Sequence, residues 1–142
     1  MRKPVFFLLC CVLLLPQLRS AAQSSNSDLP PILLSGLTAY KDKGPDEAVR
    51  AWIKGSPVDG NKDALTQANI LRQIQDYYGA YQTFEAISSK DISPKTRVYY
   101  LALDYEKGPL FAKFNIYRTE QGWILTSFTF NTKPEAVLPS VP

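Results

Sequence analysis

Asp104 stands between Leu103 and Tyr105 in an apolar, aromatic run, and it is the carboxylate best placed by sequence to do chemistry. Facing a dry interior, its pKa would rise, and it would serve as a general base toward a proton next to a carbonyl. Tyr99 or Tyr100 would then donate to the developing oxyanion. Simple alternation gives the plainer reading, in which Asp104 faces water opposite Leu103. Glu85 is open to the same two readings. Tyr77, Tyr78, Tyr81 and Phe84 form an aromatic set that would either line an apolar ligand pocket or pack a helix onto a sheet. Trp52 lies on an apolar helical stripe and reads as core. Trp123 follows a hairpin glycine, where it would either meet a ligand or partner or seal the sheet edge.

Other chemistries lack their residues. The chain has no histidine, so Ser-His-Asp and Cys-His systems have no imidazole base. Its two cysteines are Cys10 and Cys11, inside a segment that reads as a secretory signal peptide. Arg2 and Lys3 open that segment, an apolar run fills 5–15, Pro16 interrupts it, and Ser20-Ala21-Ala22 offers a cleavage site before Gln23. The run is short for a membrane span. Leu9 before Cys10 does not suit lipidation. Cleavage after residue 22 would remove Arg2, Lys3 and Arg19, so the 16 basic residues fall to 13 and equal the 13 acidic ones. A neutral, exported, Cys-free domain excludes thiol redox chemistry and Cys/His zinc sites, and it has no basic excess for nucleic acid. Asp59-Gly60-Asn61-Lys62-Asp63 comes nearest to a calcium loop. It lacks the later Glu and reads as a turn into a helix cap. No metal or cofactor is implied, and no stable membrane insertion is expected after cleavage.

These side chains need elements to position them. Residues 23–29 read as a flexible tether, 30–132 as one domain, and 133–142 as an extended Pro-rich tail. Pro30 and Pro31 open a first helix with Ile32, Leu33, Leu34, Leu37 and Tyr40 on its stripe. Pro45 opens a second, with Asp46 and Glu47 in its first turn and Ala48, Val49, Trp52 and Ile53 on one face. A third runs over 63–78, with Leu65, Ala68, Ile70, Leu71, Ile74, Tyr77 and Tyr78 on a broad apolar face, and Gly79 closes it. A tetratricopeptide-like reading of the first pair finds no second copy.

After Gly79 the period changes from 3.6 to 2. Strands are predicted over 80–87, 96–105, 110–118 and 123–131. Tyr99, Leu101, Leu103 and Tyr105 share one face of the second, and Ala112, Phe114 and Ile116 one face of the third. The register of the last hairpin is open by one residue, which would exchange the faces of residues 123–130. The prediction is an α+β domain: three N-terminal helices packed on a curved, four-stranded antiparallel sheet.

This order of elements is similar to the nuclear transport factor 2-like superfamily, also called the cystatin-like or α+β cone fold. More narrowly, "YYGAYQTFEAI", "YLALDYEKGPLFAKFNIYRTEQGWILTSFTFNT" and "DEAVRAWIKGSP" resemble a group of small exported bacterial proteins of unknown function. The resemblance spans residues 29–132, and its Tyr-Gly-x-Tyr and Gly-Trp elements are structural. It implies the cone fold without choosing among the isomerases, dehydratases, inhibitors and adaptors that share it. The Gln-x-Val-x-Gly wedge of cystatin-type inhibitors is absent.

The expected function is an exported, periplasmic or extracellular, non-enzymatic module that binds a small apolar ligand or a protein partner. Tyr77, Tyr78, Tyr81, Phe84 and Trp123 are its candidate contacts. The alternatives are a cofactor-free isomerase or lyase built on Asp104 with Tyr99 or Tyr100, and a structural component of the cell envelope. If the last strand lies at an edge, Phe128 and Phe130 place dimerisation through the sheet within reach.

Overall fold

The computed structural model describes residues 28–140. The signal-peptide reading over 1–22 and the tether over 23–27 lie outside the described residues. Three helices, α1 (Pro31–Lys43), α2 (Pro45–Ile53) and α3 (Lys62–Tyr78), precede four strands, β1 (Tyr81–Ser93), β2 (Thr96–Tyr105), β3 (Gly108–Thr119) and β4 (Gly122–Asn131). The strands form one antiparallel meander in the order β1-β2-β3-β4, so the chain is an α+β domain with β1 and β4 at the sheet edges.

Helix starts follow the local signals. Proline stands at the start of α1 and of α2, where a missing N–H costs little. The Asn61 side chain caps α3 by accepting from the Asp63 amide at 2.8 Å. Gly79 ends α3 with a φ of 84°, and its amide donates to the Gln75 carbonyl. That φ is what calls for glycine, and an added Cβ there would also displace the Glu106 carboxylate. The Ala80 amide donates to that carboxylate at 3.2 Å, and the Lys107 amide donates to the Tyr78 carbonyl at 2.9 Å. The helix-to-strand junction is thereby fastened to the β2–β3 turn.

The core lies between the helices and one face of the sheet. Leu33, Leu37 and Tyr40 of α1 and Ala48, Val49, Trp52 and Ile53 of α2 meet Leu101, Leu103, Leu110, Ala112, Phe114, Ile116 and Leu125 there. Trp52 is fully buried against Phe114, Phe128 and Phe130, and its indole N–H donates to the Leu33 carbonyl at 3.1 Å. Gly36 leaves the space the indole fills, since a Cβ at that position would lie 2.0 Å from Nε1.

Several expectations are corrected. Leu65 and Tyr77, read as part of the apolar face of α3, are 40% and 75% exposed. That helix packs through a narrow stripe of Ala64, Ala68 and Leu71. Leu29, read as tether, is buried in the core. The tail is not simply extended: a 3-10 turn covers Pro134–Ala136, and Val137 after it is buried. The first strand runs to Ser93, six residues beyond the prediction at 87. Its pairing skips at three places, leaving Gln82, Ile87 and Ile92 without partners on β2. Such bulges break the two-residue alternation that identifies a strand, and they bend an exposed edge.

A bulge also settles the last hairpin. Gly122 pairs with Thr119 and Trp123 with Arg118. Leu125 pairs with Ile116 and Ser127 with Asn115, so Thr126 is the extra residue. Trp123 and Leu125 before it and Phe128 and Phe130 after it therefore all join the helix-side core, although their numbering changes parity.

Candidate functional site

The β2 register separates the residues read as a catalytic pair. Leu103 and Tyr105 belong to the helix-side core, so Asp104 between them points to the opposite face, beside Thr83 and Pro109. Tyr99 is buried on the helix side. Asp104 and Tyr99 thus lie on opposite faces of the sheet. Tyr100 shares the face of Asp104 but stands four residues along the strand, about 13 Å away at the usual rise. No single substrate atom meets both at hydrogen-bonding distance. Glu85 is opposite Ala102 on that same face. Partial burial raises the Asp104 pKa first, and the nearby negative charge of Glu85 raises it further.

The aromatic set divides as well. Tyr81 is buried and stacks on Tyr40, with ring centroids 4.6 Å apart. The Tyr40 and Tyr105 hydroxyls are 2.7 Å apart, and the Tyr40 hydroxyl also donates to the Leu71 carbonyl at 3.3 Å. Burial pushes Tyr40 up to about 12, and it drives Tyr81 and Tyr105 higher still. These phenols stay neutral and join α1, α3 and the sheet. Tyr78 is half-buried, with its ring against Gly108 and near Tyr105, whereas Tyr77 projects into solvent beside it. Tyr81 and Phe84 line a groove of about 220 Å³ against Leu34, Leu37, Thr38 and Lys41 of α1. The sequence-predicted pocket of Tyr77, Tyr78, Tyr81 and Phe84 is therefore not assembled as one site.

A larger cleft, of about 450 Å³, opens at the other end of β1 and β2. Asp28, Leu29, Ser88, Ser89, Asp91, Arg97 and Tyr99 are among its lining residues. Register explains the convergence. Asp91 pairs with Arg97, and Ser89 with Tyr99, two positions apart along the ladder and so both on the helix-side face. The Arg97 guanidinium donates through Nε to the Asp91 carboxylate and through Nη1 to the Tyr99 hydroxyl at 3.1 Å. Those hydrogen bonds, Asp91 first and Tyr99 second, raise the Arg97 pKa, so its charge is permanent. The guanidinium also lies 5.5 Å from the centre of the Trp123 ring, with the Arg118 guanidinium 6.0 Å from the same ring. Trp123 thus stands at this polar end of the sheet, and Tyr99 lines the cleft itself.

Arg97, Arg118 and Asp91 are the residues that sequence reasoning missed. The available signal was the alternation of β2 extended back to Arg97, which puts a guanidinium on the core face. Reading it also required the β1 bulges at Gln82 and Ile87, which set the face that Asp91 reaches.

Among the described residues no group of three or more His, Cys, Asp and Glu side chains converges as a metal site, and no helix is long and apolar enough to cross a membrane. Compared with family models, curated proteins and solved structures, the chain matches none.

Proposed function

We propose that the chain is an exported, non-enzymatic binding module of the nuclear transport factor 2-like cone type, acting in the periplasm or outside the cell, and that it holds a small polar ligand in the cleft at Arg97. Export rests on the basic start, apolar run and small-residue exit of residues 2–22. The cone reading rests on three helices followed by a meander whose edge strand is bent by bulges. The observation that carries the binding reading is the fixed guanidinium: Arg97 is held by Asp91 and Tyr99 at a cleft large enough for a small molecule. Ser88, Ser89 and the two aspartates surround it with hydroxyl and carboxylate groups, which favours a polar ligand over an apolar one.

The test is native mass spectrometry of the protein purified from its own host, as wild type and as Arg97→Gln. A small-molecule adduct present in the wild type and lost in the variant is expected, with unchanged circular dichroism. A wild type without an adduct, or an adduct kept by Arg97→Gln, overturns the proposal.

A second reading, self-association, rests on β4. That strand is a free sheet edge, and residues 122–131 contain no Lys, Arg, Asp, Glu or Pro to discourage strand pairing. Phe128 and Phe130 face the helices, so the pairing groups would be the backbone of β4. Sedimentation equilibrium is expected to show a dimer that Thr126→Pro abolishes. A wild-type monomer at every concentration refutes it.

A further inference from the structure

We infer that Arg118 and Arg97, both close to the Trp123 ring, form an oxyanion site that takes a phosphate or carboxylate group of the ligand. The inference rests on the binding reading above and names the chemistry at one end of the same site. Arg118 pairs with Trp123 across β3 and β4, and Arg97 pairs with Ile116, two residues before Arg118. The two guanidinium groups are therefore diagonal neighbours on one face, and both lie within 6.0 Å of the same indole centre. Two fixed positive charges so placed repel each other, and the ring they share offsets only part of that repulsion.

Their partners differ. Arg97 is paired with Asp91, whereas Arg118 makes no ion pair among the described residues. Asp91 lies on β1, with β2 between it and the β3 strand of Arg118, so its carboxylate is committed to Arg97. The Arg118 amide donates to the Lys95 carbonyl at 2.8 Å, which brings the β1–β2 turn and its lysine alongside. Glu120 of the β3–β4 turn is the acid nearest Arg118 along the chain, and it makes no ion pair with Arg118, so that guanidinium is left open at the same sheet end as the cleft, where Asp91 is taken by Arg97. An oxyanion enters from the Arg118 side, accepts from the planar fork of that guanidinium, and shares the field of Arg97.

The chain has two tryptophans, and Trp52 is fully buried, so an anion at this place changes the fluorescence of Trp123. The wild-type protein is titrated with inorganic phosphate, with acetate, and with vesicles of phosphatidylglycerol against phosphatidylcholine. Saturable quenching by phosphate or acetate is expected, weakened at least about tenfold in Arg118→Gln and weakened also in Arg97→Gln. Chloride at the same ionic strength gives the screening baseline. Tighter response to phosphatidylglycerol vesicles than to free phosphate assigns the oxyanion to a lipid headgroup, and equal or weaker response assigns it to a soluble ligand. Absence of saturable quenching by either anion, or quenching that Arg118→Gln leaves unchanged, overturns the inference. Arg118 is exposed, so this variant keeps the fold, and circular dichroism verifies it. A native adduct that persists in Arg118→Gln without anion quenching refutes the oxyanion site alone. Anion quenching without any adduct refutes retention of a ligand in the cleft alone.

Discussion

Gly36→Ala places a methyl group where α1 lies against the Trp52 ring of α2. The new Cβ would lie 2.0 Å from Trp52 Nε1, 2.1 Å from Cδ1 and 2.4 Å from Cε2, well inside ordinary contact distance. Trp52 has no free direction of retreat, because Phe114 is 5.0 Å and Phe130 6.0 Å from its ring centre. Relief requires the helices to separate or the indole to turn. Either movement loosens packing, at about 1–3 kcal/mol. It also strains the indole hydrogen bond to Leu33, and an unsatisfied buried donor costs about 1–3 kcal/mol. Helix propensity acts the other way, since alanine is favoured over glycine by about 1 kcal/mol. Overlap wins, because the helix interior gains once while both packing and hydrogen bonding lose. The expected net loss is about 2–4 kcal/mol, which lowers Tm by roughly 10–20 °C in a domain of this size. Urea unfolding followed by tryptophan fluorescence measures it. The double variant with Trp52→Leu is expected to show coupling, with less than additive loss, because the smaller side chain accepts the methyl group. A Gly36→Ala protein as stable as the wild type, or more so, refutes the packing argument.

Three further outcomes follow from the titrating groups. Tyr40→Phe removes the hydroxyl shared by Tyr105 and the Leu71 carbonyl, and calorimetry is expected to show a loss of about 1–3 kcal/mol. In the wild type, ionisation of Tyr40 is disfavoured in the fold, so its contribution is complete below the unfolded tyrosine value near pH 10 and is lost as pH rises through about 12. Absorbance at alkaline pH is therefore expected to show Tyr40, Tyr81 and Tyr105 titrating together with unfolding, and their titration ahead of unfolding would contradict their burial. Asp104 has a raised pKa, so its ionised form is the less stable one in the fold. Asp104→Asn is expected to raise Tm at neutral pH, with the gain vanishing below about pH 4, where the carboxyl is protonated in both states. Asp46 has the opposite sign: the Arg72 hydrogen bond lowers its pKa, so its stabilisation is present above about pH 4 and fades in acid. Both partners are about half exposed, so water screens the pair, and Arg72→Gln is expected to move the denaturant midpoint only slightly, with the difference vanishing in acid.

Local signals carried much of the fold. Proline at two helix starts, glycine after the third helix and a change of period after Gly79 mark elements without reference to anything distant. The second strand, predicted over 96–105, is β2, Thr96–Tyr105. Its regular alternation has no bulge in the β3 pairing to obscure it. The first strand was misread at its far end because Ile87 and Ile92 are bulge residues, which are exposed and unpaired. Tyr77 and Leu65 were misread because a helical stripe shows which residues are apolar, whereas the width of the covering layer decides how many are buried.

The candidate site was less legible for a related reason. Asp104, Tyr99 and Tyr100 are close in sequence, and closeness along a strand alternates between faces and then spreads by more than three ångströms per residue. Asp91 and Arg97 are joined by pairing across β1 and β2, and Arg97 reaches Trp123 from two strands away. By itself the sequence determined the element types, the core faces of β2 and β3, and the absence of imidazole chemistry, because these depend on local periodicity and on residue inventory. Tertiary structure alone decided that Gly36 receives Trp52, that Thr126 returns Phe128 and Phe130 to the core, and that Arg97 and Arg118 meet at one ring. Those outcomes depend on register and on helix-to-sheet distance, which no residue carries within its own neighbourhood.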